Sequence, residues 1–213
     1  MLNRFNARAN SAGISLLLFL VLISAVGAKT AWAESDLFME IRKKADFIKS
    51  LHVEFIQQKQ LKILVRPLIS KGLFIYKAPS SIRWEYITPV RSIVVLHQGK
   101  VKRFFTKDGL MVKDAGADLQ VMQIVMQNIT RWLNGNFDEN PGFRTTVEKN
   151  RILLKPLNQI SEMIDRIELL LSKDPGLIDS ITIYEDRENY TKIKFKTLNI
   201  NGPLADSVFE EIS

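Results

Sequence analysis

Beyond about His52 the chain alternates between apolar and polar residues in short runs, the period expected of half-buried strands. Runs at 53–58, 72–77, 81–87, 91–97 and 101–106 come first, separated by Pro79, Pro89, Gln98-Gly99 and Asp108-Gly109. The segment 62–69 reads as a further strand or as a loop broken by Pro67. A second series, 143–148, 151–155, 165–172, 177–184 and 191–198, is punctuated by Asn150, Asp174-Pro175-Gly176 and the polar stretch from Asp186 to Asn189. The clearest alternation sets Ile82, Trp84 and Tyr86 against Arg83 and Glu85, a large apolar face opposite a charged one. Short turns between successive strands predict an antiparallel meander.

Two stretches keep a helical period instead. In 35–49, Ser35 supplies a cap, and Asp36 and Glu40 suit the positive end of the helix dipole. Leu37, Ile41, Ala45 and Ile48 recur on one side, which Phe38 and Phe47 widen. In 118–134, Met122, Val125, Met126, Ile129, Trp132 and Leu133 form a stripe, with Gln123, Gln127, Asn128 and Arg131 off it. Strands with two inserted helices predict an α+β domain in which a large curved sheet is covered by helices.

The first residues change the picture from a cytoplasmic to an exported domain. Arg4 and Arg8, an apolar run from Ile14 to Val26 interrupted by Ser15 and Ser24, and Ala31-Trp32-Ala33 before Glu34 follow the order of a secretory signal. The run is shorter than the roughly 20 apolar residues of a spanning helix. Cleavage is therefore expected after residue 33, leaving 34–213 as a single domain, soluble in the periplasm. The chain has no cysteine, so it carries neither a lipidated N-terminal cysteine nor a disulfide. Its formal net charge of +7 falls once the leader removes Arg4, Arg8 and Lys29. The remaining Lys and Arg are scattered among apolar positions rather than clustered with exposed aromatics, which predicts no nucleic-acid partner.

Candidate chemistry is sparse. His52 and His97 each stand alone among apolar residues, and a metal site needs several ligands at suitable spacing. There is no Gly-rich phosphate loop and no Gly-x-Ser-x-Gly elbow. Glu210-Glu211 and the Asp186/Glu188 pair read as solvated surface charge. No catalytic residue, metal or cofactor is expected, and a non-enzymatic role follows. From pattern alone, the apolar stripes read first as ordinary core packing, with the wall of a ligand cavity as the alternative.

Three segments, taken in order, resemble the LolA family of periplasmic lipoprotein carriers. They are IKSLHVEFIQQKQL, then SKGLFIYKAPSSIRWEYITPVRSIVVLHQGKVKRFF, then GLIDSITIYEDRENYTKIKFKTLNINGPLADSVF. The resemblance implies an incomplete antiparallel β-barrel whose open side is closed by a helical lid over a hydrophobic cavity for acyl chains. It places Phe74, Tyr76, Ile82, Trp84, Tyr86, Ile93 and Val95 on the cavity wall. Leu37, Ile41 and Ile48 of the first helix and Met122, Val125, Met126 and Ile129 of the second would form the lid. A slip of one residue would turn a whole strand over. It further implies a monomer that takes lipoproteins from an inner-membrane ABC transporter complex and passes them to an outer-membrane acceptor.

One position departs from the family pattern. An Arg that holds the empty carrier closed commonly precedes the proline of the central loop, and Ala78 stands there, before Pro79. Arg83 is the candidate substitute for that latch. The departure keeps three other readings in view: a carrier of another acylated amphiphile such as a glycolipid or lipid-linked product, a lipoprotein-sensing module of the same fold, and a lipid hydrolase or transferase built on His52 or His97.

Overall fold

The computed structural model describes residues 36, 38–114, 119–137, 142–157, 161–173 and 176–210, with the backbone alone at 119–125. The leader 1–33, the helix start at Asp118 and the turn at 174–175 lie outside the described residues. Helical residues 38–45 (α1) come first. Six strands follow: β1 (Ser50–Gln60), β2 (Leu68–Lys77), β3 (Ser81–Thr88), β4 (Ser92–His97), β5 (Lys100–Lys107) and β6 (Leu110–Asp114). After α2 (Leu119–Leu133) come β7 (Phe143–Glu148), β8 (Arg151–Pro156), β9 (Arg166–Leu171), β10 (Ile178–Tyr184) and β11 (Tyr190–Ile200), then a 3-10 turn at Asp206–Phe209. Among the described residues no helix is long and apolar enough to cross a membrane.

The strands form one eleven-stranded sheet in the order β6-β5-β4-β3-β2-β1-β11-β10-β9-β8-β7. Every pairing is antiparallel, and all but one join neighbours in sequence. The exception is β1 against β11, paired from Leu51↔Ile200 to Gln60↔Tyr190, which joins the two meanders into one open, curved sheet. Asn201 fastens that junction. Its Oδ1 accepts from the Lys49 N–H at 2.6 Å and its Nδ2 donates to the Phe47 carbonyl at 2.7 Å. Gly72 is required for close packing: it pairs with Phe55, and a Cβ there would stand 2.6 Å from the Phe55 ring.

The expected elements shift at their ends. Helical geometry stops at Ala45, and β1 starts at Ser50 rather than Val53. Of the segment 62–69, residues 62–67 are a loop through Pro67, and β2 starts at Leu68. The strand β6 has no counterpart in the pattern, because it is a five-residue edge strand whose apolar side chains are at most half-buried.

Register assigns the two faces. Leu51, Val53 and Phe55, then Phe74 and Tyr76, then Ile82, Trp84 and Tyr86, then Val94 and Leu96 share the concave side. The convex side carries Ile75, Arg83, Glu85, Ile93 and Val95, since Arg83 pairs with Val95 and Glu85 with Ile93. Ile93 and Val95 are therefore not on the wall with Trp84, correcting the expectation by one residue. The whole run Ile93–Leu96 is buried, so β4 has no alternation from which a phase could be read. On the convex side Ile75, Ile93, Val95 and Phe104 pack with Phe209, flanked by Met111, Leu204 and Val208 of the edge strand and tail.

Candidate functional site

The concave face of β1–β3 and β11 is an aromatic pavement. Strand alternation brings Phe55, Phe74, Trp84, Tyr86 and Phe195 to the same side. The ring centroids of Phe55 and Trp84 are 4.9 Å apart, those of Phe74 and Trp84 5.4 Å, and those of Trp84 and Phe195 6.3 Å, all in tilted or edge-on arrangements. Tyr86 sits edge-on to Phe55 at 5.2 Å and donates its hydroxyl to Gln57 Oε1 at 2.8 Å. Burial raises the Tyr86 pKa.

Above this pavement lies the C-terminal half of α2. Ile129, Trp132 and Leu133 close a cavity whose floor and walls are Leu51, Val53, Phe74, Trp84, Ile181 and Phe195, with Leu177, Ile178, Gly176 and Thr197 at one side. Its open volume is about 40 Å³. Ligand pockets run to roughly 300–1,000 Å³, so the lid side chains nearly fill the space a ligand would take. Among the described residues, Thr197 is the sole hydroxyl on this wall. The indole N–H of Trp132 is buried with no hydrogen-bond partner among the described residues.

The lid is fastened at one end by polar contacts. The Tyr76 hydroxyl donates to Asn134 Oδ1 at 2.8 Å, and Asn134 Nδ2 donates to the Pro79 carbonyl at 3.4 Å. Asn134 follows the last turn of α2, so this bridge ties the helix terminus to the β2–β3 turn. Burial pushes the Tyr76 pKa up to about 12, so the hydroxyl remains a donor at neutral pH. Gly135, at φ +73°, then turns the chain against α1, where a Cβ would meet Arg42 Cα at 2.7 Å. Phe38 stacks on Phe137 with ring centroids 6.5 Å apart.

Arg83 is not part of this fastening. Alternation on β3 sends it to the convex side, where it is buried. There its Nε and Nη2 donate to Glu85 Oε2 at 3.0 and 2.8 Å, and its Nη1 donates to the Val208 carbonyl at 3.0 Å. Arg91 Nε donates to Glu85 Oε1 at 2.9 Å. Among the described residues, the candidate latch thus holds the C-terminal segment.

Of the other expected residues, Phe74 and Trp84 line the cavity, and Tyr76, Ile82 and Tyr86 share its face beyond the lining. Ile129 lines it from the helix, and Met126 is buried on the same element. Ile41 and Ile48 are buried but do not line it. Leu37 and the side chains of Met122 and Val125 lie outside the described residues. Sequence reasoning missed Leu51, Val53, Phe195 and the 177–181 segment. Their alternation was visible, but the β1–β11 pairing that brings both ends of the chain to one wall was not. His52 Nε2 and His97 Nε2 are buried without partners among the described residues, while His97 stacks on Phe209 at 5.5 Å and Ser81 Oγ lies 2.8 Å from its Nδ1. Neither histidine lines the cavity.

Comparison with known proteins follows the same line. The family model described as outer membrane lipoprotein carrier protein LolA matches residues 46–211. No curated protein matches the chain. Among solved structures, a DUF1329 family protein from Desulfovibrio piger is 10% identical with a TM-score of 0.48, covering 84% of this chain and 97% of its own. LprF from Mycobacterium bovis is 11% identical with a TM-score of 0.42, covering 81% and 95%. A LolA superfamily protein from Nitrosomonas europaea is 9% identical with a TM-score of 0.37, covering 80% and 96%.

Proposed function

The chain belongs to the LolA family of outer membrane lipoprotein carriers, and on that premise we propose that it shields the acyl chains of lipoproteins in the cavity beneath α2 and moves them from the inner to the outer membrane. The observation that carries this reading is the apolar wall of Val53, Phe74, Trp84, Ile181 and Phe195 facing Ile129 and Trp132 of a helix held at one end. Each methylene of an acyl chain withdrawn from water contributes about 0.8 kcal/mol, so an apolar wall that can widen supplies the binding energy without a catalytic group. Loading requires the lid to move outward, because about 40 Å³ does not admit such a chain.

The rest of the reading follows from this role. The leader 1–33 directs export and is removed after Ala33. The domain works as a monomer in the periplasm, is loaded by an inner-membrane ABC transporter complex, and delivers to an outer-membrane acceptor that binds the chains more favourably. No cofactor takes part.

Native mass spectrometry of the protein purified from periplasm, with solvent extraction of what is bound, tests the proposal. A triacylated polypeptide is the expected species. An empty protein that also fails to take up a fluorescent acyl probe overturns the carrier role. A second reading, carriage of another acylated amphiphile, is favoured by one observation: the lid is held through Tyr76 and Asn134, while Ala78 occupies the position where the family commonly has Arg. Recovery of a glycolipid or lipid-linked product in place of acylated protein selects it.

A further inference from the structure

The sheet is split beside the cavity. Strand β11 is paired with β1 from Tyr190 to Ile200, with a register shift opposite His52 and Val53 that bulges Leu198 out of the ladder. With β10 it pairs only from Tyr190 to Lys194, opposite Tyr184 to Ser180. Strand β10 then shifts register between Ile178 and Ser180 and stays with β9, Ile178 facing Leu171. Among the described residues, 195–200 of β11 is therefore a strand edge paired on one side only, in the interior of an eleven-stranded sheet. Such an edge offers main-chain N–H and C=O groups to an added strand.

The split opens a cleft of about 380 Å³, lined by Ser172, Asp179, Thr197 and Asn199 together with Leu198 and Ile200. It adjoins the cavity beneath α2. Leu177, Ile178, Phe195 and Thr197 line both. Lining chemistry changes along the path, from hydroxyl, amide and carboxylate groups outside to aliphatic and aromatic groups inside. The buried indole N–H of Trp132, a donor without a partner among the described residues, belongs to the inner compartment.

We infer that this cleft is the path by which the polypeptide of an acylated cargo leaves the cavity, its extended main chain adding to the free edge of β11 at 195–200. The inference rests on the carrier reading. A carrier of many lipoproteins meets a different sequence after each acylated residue, and only the main chain is common to all. A strand edge recognises that common part. Side-chain pockets would discriminate among cargoes, whereas Thr197 and Asn199 lie along a path that any extended chain can follow. The acyl chains then lie against Phe195 and Trp84 while the polar chain meets solvent at Leu198 and Ile200.

The test compares three ligands on the mature protein: a triacylated lipopeptide with a short peptide tail, the same lipopeptide N-methylated at alternate tail residues, and the acylated head without a tail. N-methylation removes main-chain donors and leaves the protein untouched. The expected result is about tenfold weaker binding of the methylated ligand, the loss of one or two main-chain hydrogen bonds, down to the affinity of the bare head. A photo-crosslinking residue replacing Leu198 should capture the tail, whereas one replacing Ile63, in the β1–β2 loop, should not. Equal affinity of the methylated and unmethylated ligands, or capture at Ile63 and not at Leu198, overturns the inference and leaves the carrier reading standing. Failure of all three ligands to bind overturns the carrier reading itself.

Discussion

On the concave face of β2–β4, Phe74, Trp84 and Val94 look toward a helix; on the convex face of the same strands, Ile75, Arg83 and Val95 look toward the C-terminal segment. The two covers are attached differently. The tail is held by the Arg83–Val208 hydrogen bond, by Lys77 donating to Asp206 at 2.7 Å and to the Leu204 carbonyl at 3.1 Å, and by Phe209 inserted in a filled apolar cluster. At its C-terminal end the helix is held by the neutral bridge of Tyr76 and Asn134, over a cavity with about 40 Å³ still open. Charge-assisted bonds are roughly twice as strong as neutral ones. On the proposed carrier role, the difference makes the concave cover the one expected to lift and the convex cover the one expected to stay.

The largest expected effects come from truncating each face in turn. Phe74→Ala should cost about 3–5 kcal/mol and Ile93→Ala about 2–5 kcal/mol in denaturant unfolding, by lost burial and the void left behind. Acyl-probe uptake, measured where both variants remain folded, should change for Phe74→Ala alone. Equal changes in uptake would erase the distinction between the faces.

Arg83→Met sharpens the comparison from the convex side. It keeps an unbranched apolar stem in place of the arginine's and removes the donors to Glu85 and Val208. A loss of roughly 1.5–3 kcal/mol is expected, the range for hydrogen bonds to charged groups. Hydrogen exchange should quicken at 204–210 and stay unchanged in α2. Quickening in α2 instead would return Arg83 to the role of lid latch.

This comparison also explains what the sequence could disclose. The central strand β3 was legible because it sets Ile82, Trp84 and Tyr86 on one side against Arg83 and Glu85, and its pairing with β2 brings Phe74 beside Trp84. The failure on β4 has a physical cause: a strand buried on both faces loses its period, so Ile93 and Val95 took the phase that belongs to Val94 and Leu96. Arg83 was misread for a related reason. Its place near Pro79 suggested the latch, but the C-terminal segment covers it, and no local signal links residue 83 to residue 208. The far wall of the cavity depends on β1 meeting β11, residues well over a hundred positions apart, so Leu51 and Phe195 could be recognised as strand residues but not as walls of one cavity.

A smaller effect is expected from Tyr76→Phe, which keeps the ring and deletes the hydroxyl bonded to Asn134. About 1 kcal/mol should be lost. The readout is local: faster exchange in the last turns of α2 and faster acyl uptake, with 204–210 unaffected. Unchanged uptake would show that the bridge does not gate the cavity.

The smallest effect separates the covers by pH. The Lys77 ammonium, through its hydrogen bond and charge, holds the Asp206 carboxyl below its usual range. A depressed carboxylate pKa stabilises the folded state at pH above the unfolded value of about 4 and ceases to do so as pH falls through the lower, folded value. Acidification through that window should therefore loosen the tail at 204–210, while the Tyr76–Asn134 bridge, which contains no carboxylate, holds the lid as before. Because Asp206 is exposed, screening keeps the change modest. Amide exchange followed across the window in the wild type and in Asp206→Asn checks it. The substitution should remove the pH dependence of the tail and leave that of α2 untouched; a matching response in α2 would mean that the two covers open together.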